Sequence, residues 1–271
     1  MLLRGKIVKA VTFDVQGTLI HHRAPVEDVY SSYARRILPN PPTSADFKAA
    51  FPAAYAATSK QYPSYRYPGK DALWSSRRWW RELCRTVLES TNREYSEYEV
   101  DRFFRAVYQH YGSPAGYAVY PDAREFMDKL SGVKGLCLGV TANCSTRTID
   151  TTLPVLSLSQ QMQFFTCSQE VGNDKPSLQM FAATLKAIQH WVPGIEKNQV
   201  LHIGSNQEVD YVAARQFGFQ SILLDRSGKA KDRDQDQDQD QDLHLDYHLA
   251  ANTVKTFGQL ETLCSWGTDG G

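Results

Sequence analysis

The chain has 271 residues and a mass of 30.6 kDa, a length that predicts two domains or one domain with a large insertion. Hydrophobic residues make up 42% of the sequence and charged residues 22%, which excludes a chain that is disordered throughout. The 30 basic and 30 acidic side chains give zero formal net charge, and this argues against a nucleic-acid-binding protein because such proteins are usually basic.

The zero net charge conceals one strongly acidic run. Residues 21–117 sum to +4, whereas Asp232–Asp242 contains six Asp and one Arg and sums to −5. Asp and Gln alternate in this run without any apolar residue, so it has nothing to bury in a core. We therefore predict that residues 229–242 form a disordered Asp/Gln-rich loop between the last strand and a C-terminal helix.

The sequence carries no sign of a targeting segment or of a disulfide framework. Arg4, Lys6 and Lys9 interrupt the apolar residues near the N-terminus, so we predict neither a signal peptide nor a membrane span. Five cysteines form an odd set without a CxxC pair, as expected for free thiols in a reducing compartment. We predict an intracellular, cytoplasmic protein with no membrane or nucleic-acid partner, and nothing in the sequence indicates an oligomeric state.

Short apolar segments alternate with helical patterns and predict an α/β fold. The first segment, Ile7–Val15, has the composition of a strand buried on both faces of a sheet. Further strands are predicted at Leu136–Val140, Phe164–Thr166, Val200–Ile203 and Ser221–Leu224, with helices at Leu178–His190 and Glu208–Phe217. This alternation is typical of a Rossmann-like open parallel sheet, which binds ligands at the carboxyl ends of its strands.

Residues 21–117 have a helical pattern instead. Helices are predicted at Val26–Leu38, Ala45–Ser59, Ala72–Ser90 and Glu97–His110, and no strand is predicted. More than half of the aromatic residues fall in this segment. We predict an all-helical cap at 21–117, inserted into an α/β core of 1–20 plus 118–271, with most aromatics in the core of the cap and a minority lining a pocket.

An aspartate follows the first predicted strand, in the sequence Phe13-Asp14-Val15-Gln16-Gly17-Thr18. A carboxylate at the end of a buried strand costs free energy unless a partner compensates its charge. The later strand ends supply polar partners in Val140-Thr141-Ala142-Asn143, in Asp174-Lys175-Pro176, and in His202-Ile203-Gly204-Ser205-Asn206 through Asp210. We interpret Asp14 as a functional residue, and the alternative is an aspartate that only caps a strand-to-helix turn.

These four motifs in this order, with a cap that contains Arg77-Arg78-Trp79-Trp80, resemble the haloacid dehalogenase (HAD) superfamily of aspartyl-nucleophile hydrolases, in its branch with a helical cap. The resemblance covers nearly the whole chain. It implies that Asp14 forms an aspartyl-phosphate, that Lys175 neutralises charge, and that Asp210 helps bind Mg²⁺. It also implies substrate-binding positions at Thr18, Thr141, Ala142, Asn143 and Asn206, metal positions at Asp14, Gln16, Ser205 and Asp210, and catalytic positions at Asp14, Gln16 and Lys175.

Three positions depart from the family pattern. Family phosphatases have an acid–base Asp where Gln16 stands, and an amide cannot supply that rate gain of about 10²–10⁴-fold. The phosphate-binding Ser or Thr of the family aligns with Ala142, and the alternation of side chains along a strand leaves open whether Thr141 replaces it. Ser205 stands where the family has Asp, so we predict a weaker Mg²⁺ site.

Three functional interpretations remain open. The first is a slow or specialised phosphatase that acts on a small phosphorylated organic molecule with an apolar body. The second is an inactive pseudoenzyme that binds a phosphorylated ligand or a protein partner. The third, ranked lowest, is a metal-free carbon–halogen hydrolase. That subfamily has Ser-Asn at the position of Ser205-Asn206, an aromatic residue where Gln16 stands, and a positioned arginine for which Arg35 and Arg36 are available here.

Overall fold

The computed structural model describes residues 1–69, 72–228 and 251–265. The predicted Asp/Gln-rich loop at 229–242 therefore lies outside the described residues. The strands are β1 (Leu2–Leu3), β2 (Lys6–Ile7), β3 (Ala10–Phe13), β4 (Ile20–His22), β5 (Tyr117–Val119), β6 (Cys137–Ala142), β7 (Phe164–Cys167), β8 (Val200–Gly204), β9 (Gln220–Leu224), β10 (Thr253–Val254) and β11 (Cys264–Ser265).

Six of these strands form one sheet in the order β10-β9-β8-β3-β6-β7, and all of its pairings are parallel. The predicted α/β fold with an open parallel sheet is confirmed. Strand β3 lies between β6 and β8, and all four of its residues are buried, as its apolar composition predicts. The register places Phe13 beside Val140 and Ile203, so the residues that follow these three strands leave the sheet at the same edge.

The helices surround this sheet and form the cap. They are α1 (Val26–Ile37), α2 (Ser44–Gln61), α3 (Ala72–Glu89), α4 (Glu97–His110), α5 (Pro121–Ser131), α6 (Leu153–Val155), α7 (Ser168–Val171), α8 (Leu178–Trp191), α9 (Ala213–Phe217) and α10 (Phe257–Thr262). π-Helical turns at Thr148–Thr152 and Gln207–Val212 precede α6 and α9. Among the described residues, no helix combines the length and the apolar composition needed to cross a bilayer.

Helices α1 to α4 enclose an apolar cluster of their own, separate from those on the two faces of the sheet. Phe47 of α2 stacks on Phe103 of α4 with ring centroids 6.0 Å apart, and Trp79 of α3 is 1% exposed. Reciprocal side-chain caps begin two of these helices, Thr43 with Asp46 at α2 and Ser96 with Glu99 at α4. Most cap aromatics thus stabilise the packing of the four helices.

Several short elements were not predicted. Strands β4 and β5 pair where the chain enters and leaves the cap, and β1, β2 and β11 form a small antiparallel sheet. Strands β10 and β11 also follow the range 229–242, so that range does not come after the last strand as we expected. Elements of two or three residues carry no hydrophobic period long enough to read from a sequence.

Gly139 of β6 offers a test of the packing between β6 and β7. A Cβ atom at this position would collide with the backbone carbonyl and the ring of Phe164 on β7. We expect Gly139→Ala to lower the unfolding free energy by about 1–3 kcal/mol through overpacking, as measured by urea denaturation.

Gly258 of α10 is the matched control, because a Cβ there has no neighbour closer than 3.7 Å and alanine favours helices. Gly258→Ala should leave the unfolding free energy unchanged or raise it. Equal effects of the two substitutions would contradict the described packing of the sheet.

Candidate active site

Three charged side chains meet at the carboxyl edge of the sheet. The Lys175 Nζ lies 3.1 Å from Asp14 Oδ1 and 2.5 Å from Asp210 Oδ1, and it also donates to the Thr141 carbonyl oxygen at 2.7 Å. The Lys175 side chain is 1% exposed and Asp210 2%, whereas Asp14 is 15% exposed. All three ammonium protons therefore have an acceptor, and of the three charges only Asp14 is open to a ligand.

The position of Asp14 follows from the strand that precedes it. Its backbone N–H continues the sheet ladder by donating to the Ile203 carbonyl at 2.9 Å. Gly17 then turns the chain with φ of +81°, in the left-handed region that favours glycine. This turn returns Thr18 Oγ1 to 3.3 Å from Asp14 Oδ2, where the hydroxyl donates a long hydrogen bond. Strand and turn together fix both carboxylate oxygens.

Lys175 is held through its backbone by Asn143, which follows β6. The Asn143 Oδ1 accepts from the Lys175 N–H at 2.6 Å, and its Nδ2 donates to the Lys175 carbonyl at 2.8 Å. An amide is suited to this double contact because it carries a donor and an acceptor side by side. Asn143 thus positions the lysine.

Asp210 lies on the π-helical turn after β8, and such turns are frequent at functional sites. Asn206 begins this turn. Its Oδ1 accepts from two backbone N–H groups, and its own N–H donates to Asp210 Oδ2 at 2.9 Å. A side chain at Gly204 would collide with the Asp210 carboxylate, so glycine is required for this close approach. The His202 Nε2 lies 3.4 Å from Asp210 Oδ1, and burial lowers the pKa of His202.

Burial acts differently on the three charges. It raises the pKa of Asp14 to about 6, because desolvation and the nearby Asp210 charge outweigh the attraction of Lys175. Burial also opposes the charges of Lys175 and Asp210, but there the ion pair prevails, so the pKa of Lys175 rises and that of Asp210 falls below its usual range. Asp14 is the carboxylate with the least compensation and is ionised at neutral pH.

Some of the predicted site residues line a common cavity, and others lie outside it. Asp14, Gln16, Ala142 and Asn143 line it. Thr141, predicted to bind substrate, is fully buried, and its hydroxyl bonds with those of Thr12 and Thr184 instead. Alternation along β6 turns this side chain into the core, so only its carbonyl reaches the site.

Two other residues predicted to bind substrate form hydrogen bonds within the protein instead. Thr18 is fully buried beside Asp14, and Asn206 is committed to the turn that carries Asp210. Asn206 and Ser205 line a different cleft. Of the predicted metal positions, Gln16 is exposed toward the cavity, and the Ser205 Oγ lies 3.5 Å from the Gln16 carbonyl oxygen.

The cavity lies between the sheet edge and the cap, with a volume of about 240 Å³. Sequence reasoning did not identify Arg147, which follows β6 and lines this cavity. Its contacts come from α4, so no local pattern could have found it. The expectation that a minority of the aromatics of 21–117 would line a pocket is wrong, because nine of the eighteen do: Tyr30, Phe51, Tyr55, Tyr65, Trp80, Phe104, Tyr108, Tyr111 and Tyr117.

Comparisons with known proteins confirm the predicted family. A family model described as haloacid dehalogenase-like hydrolase matches residues 8–218. Haloacid dehalogenase-like hydrolase domain-containing protein 3 of Xenopus laevis is 28% identical over 219 residues, which cover 80% of this chain and 84% of that protein.

Similar folds occur among solved structures. A 2-haloacid dehalogenase from Pseudomonas syringae has a TM-score of 0.60 and 20% identity, covering 95% of this chain and 98% of that chain. A HAD phosphatase from Thermococcus onnurineus has a TM-score of 0.60 and 16% identity, covering 96% and 99%. A HAD hydrolase from Bacillus subtilis bound to magnesium has a TM-score of 0.57 and 16% identity, covering 83% and 92%. At these identities the likeness shows the fold alone.

Asp14→Asn is expected to stabilise the protein at neutral pH. Burial raises the Asp14 pKa from 3.8 to about 6, so the ionised carboxylate is less favourable in the folded protein than in the unfolded chain. The variant should gain roughly 1–3 kcal/mol of unfolding free energy above about pH 6, and the gain should disappear below about pH 4. Urea denaturation at several pH values measures this.

Asp210→Asn is the matched control and should have the opposite sign. The pKa of Asp210 lies below its usual range, because the contacts with Lys175 and His202 outweigh its burial, so its ionised form stabilises the fold. A stabilising effect of both substitutions, or of neither, would contradict this distribution of charge.

Proposed function

We propose that this chain hydrolyses a small organic phosphate slowly through Asp14. The chain belongs to the haloacid dehalogenase-like hydrolase family. The observation that carries this proposal is the Asp14–Lys175–Asp210 arrangement, which exposes one carboxylate to the cavity and keeps a buried ammonium against it. A carboxylate can approach an anionic phosphate only where a cation reduces their repulsion. Lys175 provides that cation at a fixed position.

The reaction has two steps. The Asp14 carboxylate attacks phosphorus while the bond from phosphorus to the leaving oxygen breaks, and that oxygen departs with the electron pair. Water then attacks phosphorus and the bond to Asp14 breaks, which returns the carboxylate and releases inorganic phosphate, with one proton of the water passing to solvent. Asp14 is ionised at neutral pH, as a nucleophile must be, because its raised pKa of about 6 still lies below 7.

The presence of Gln16 is the reason that we propose a slow reaction. Gln16 lines the cavity together with Asp14, but an amide cannot protonate the leaving oxygen or accept a proton from water. Substrates whose leaving oxygen is stable as an anion, such as phenolates, need this proton least. The proposal therefore favours aryl phosphates over alkyl phosphates.

The residues present fit a Mg²⁺ ion. Asp14 is the carboxylate open to the ion, and the Gln16 carbonyl oxygen and the Ser205 hydroxyl, which lie 3.5 Å apart, are further oxygen donors. Mg²⁺ often takes one or two carboxylates and completes its shell with substrate phosphate and water. Lys175 and the Asn206 N–H already occupy the Asp210 oxygens, so we propose weak affinity. When bound, the ion would neutralise phosphate charge.

A carbon–halogen hydrolase is the second candidate. Neutral side chains at Gln16 and Ser205 favour it, because both lack the carboxylates that a phosphatase of this family uses. Asp14 would then attack carbon and expel halide, and water would hydrolyse the resulting ester.

Phosphate release from phenyl phosphate with Mg²⁺ tests the proposal. We expect slow turnover by the wild type. Asp14→Asn should lower the turnover rate by at least about 10³-fold, as expected for removal of a nucleophile. Gln16→Asp should raise the rate by roughly 10²-fold or more by restoring a titratable group, whereas Gln16→Asn, which keeps an amide, should not.

Other outcomes separate the alternatives. Halide release from 2-chloropropionate without Mg²⁺, in place of phosphate release, would establish the second candidate. Turnover by Gln16→Asp alone would identify the wild type as an inactive descendant. Equal phosphate release by wild type and Asp14→Asn would contradict the assignment of Asp14.

A further inference from the structure

We propose that the cavity binds an organic phosphate whose ring-sized apolar body carries a second anionic group, and that the Arg147 guanidinium binds this group. The phosphate end of the ligand rests on the proposed function. The second anionic position rests on a different observation, which is a half-buried arginine in the cavity with no acidic partner among the described residues.

The walls of the cavity define the body of the ligand. Partly exposed aromatic residues of the cap, among them Tyr55, Trp80 and Tyr111, line the cavity together with Asn143 from the core. Surfaces of this kind favour a flat apolar group, since stacking adds to the burial of apolar area. The cavity volume of about 240 Å³ suits one ring with its substituents.

Arg147 is fixed in the wall of this cavity by α4. Its Cζ lies 3.4 Å from the centroid of the Tyr108 ring, and its Nη2 donates to the Tyr108 carbonyl oxygen. A side chain at Gly112 would occupy the place of the guanidinium, so the glycine after α4 leaves room for it. A stacked guanidinium is rigid and presents its remaining donors in a planar fork, the geometry that recognises carboxylates and phosphates.

The charge of Arg147 is not compensated within the described part of the chain. No carboxylate there forms an ion pair with it, and the one carboxylate among the lining residues, Asp14, pairs with Lys175. Burial lowers the pKa of Arg147, and the ionisable groups that act on it are the phenols of Tyr108 and Tyr117 and the guanidinium of Arg77. A half-buried cation without a counter-ion is unfavourable, so an anionic group of the ligand would offset its cost.

The two cationic positions belong to different elements. Lys175 stands behind Asp14 at the end of β3, and Arg147 lies where the cavity meets α4. A ligand with a phosphate at one end and a carboxylate or second phosphate at the other satisfies both. A purely structural role is the competing explanation, because the contact of Arg147 with Tyr108 also joins core to cap.

Two substrates distinguish these explanations. We expect the wild type to have a higher kcat/KM for 4-carboxyphenyl phosphate than for phenyl phosphate. Arg147→Gln should lower kcat/KM for the carboxylated substrate by about 10- to 100-fold, as expected for a lost hydrogen bond between charged groups, and change it little for phenyl phosphate. Thermal denaturation confirms that the variant is folded.

Arg66→Gln is the matched control, because Arg66 also joins cap to core but does not line the cavity. Its guanidinium donates to the carbonyls of Gln169 at 2.8 Å and Glu170 at 2.9 Å. This variant should keep the wild-type preference for the carboxylated substrate. An equal loss of kcat/KM for both substrates in Arg147→Gln would overturn our proposal and leave Arg147 as a structural contact.

Failure of the proposed function is measured separately. If neither phosphate is hydrolysed, calorimetry with phenylphosphonate and 4-carboxyphenylphosphonate still tests Arg147. We expect tighter binding of the carboxylated phosphonate by the wild type, and loss of that difference in Arg147→Gln. Equal binding of both phosphonates by the wild type, or an unchanged difference in the variant, would overturn the proposal.

Discussion

The buried ammonium of Lys175 is the constraint on which this site depends. A lysine that is 1% exposed can remain charged only if acceptors replace the water it has lost, and here two carboxylates and one carbonyl do so. Each acceptor comes from a different strand of the sheet: Asp14 follows β3, Asp210 lies on the turn after β8, and the Thr141 carbonyl belongs to β6. The strand register of β3, β6 and β8 is therefore what makes the charge arrangement possible.

The same arrangement distributes its costs unevenly. Asp210 is buried, and its carboxylate is well compensated because it lies within hydrogen-bond distance of the Lys175 ammonium, the Asn206 N–H and the His202 ring. The Asp14 carboxylate accepts a hydrogen bond from Lys175 and a long one from Thr18, and it faces the cavity. The less compensated carboxylate, Asp14, has the higher pKa and is the nucleophile in our proposal, which fits the usual conflict between stability and reactivity at an active site.

Much of this could be predicted from the sequence, for identifiable reasons. Asp14, Lys175 and Asp210 come together because each follows a predicted strand, and parallel strands end at one edge. The period of two along β6 already raised doubt about Thr141, and the structure buries its hydroxyl. Asn206 could have been recognised as a helix cap, since an Asn before a helical pattern is a typical capping residue.

Other features depend on contacts distant in sequence. Arg147 and Tyr108 belong to core and cap, and only the packing of one against the other brings them together. The short ribbon of β4 and β5 pairs residues nearly a hundred positions apart, through strands too short to show a period. The location of the cavity, and the division of the aromatics between its wall and the cap core, could not be read from composition for the same reason.

Chemical trapping at residue 14 tests the central claim most directly. The protein is mixed with phenyl phosphate and Mg²⁺ and quenched with borohydride, which reduces an acyl phosphate to an alcohol, and the peptide containing Asp14 is then analysed by mass spectrometry. Our account predicts a reduced side chain at residue 14 that requires substrate. Release of phosphate with Asp14 unmodified, or with the label on another residue, would contradict it.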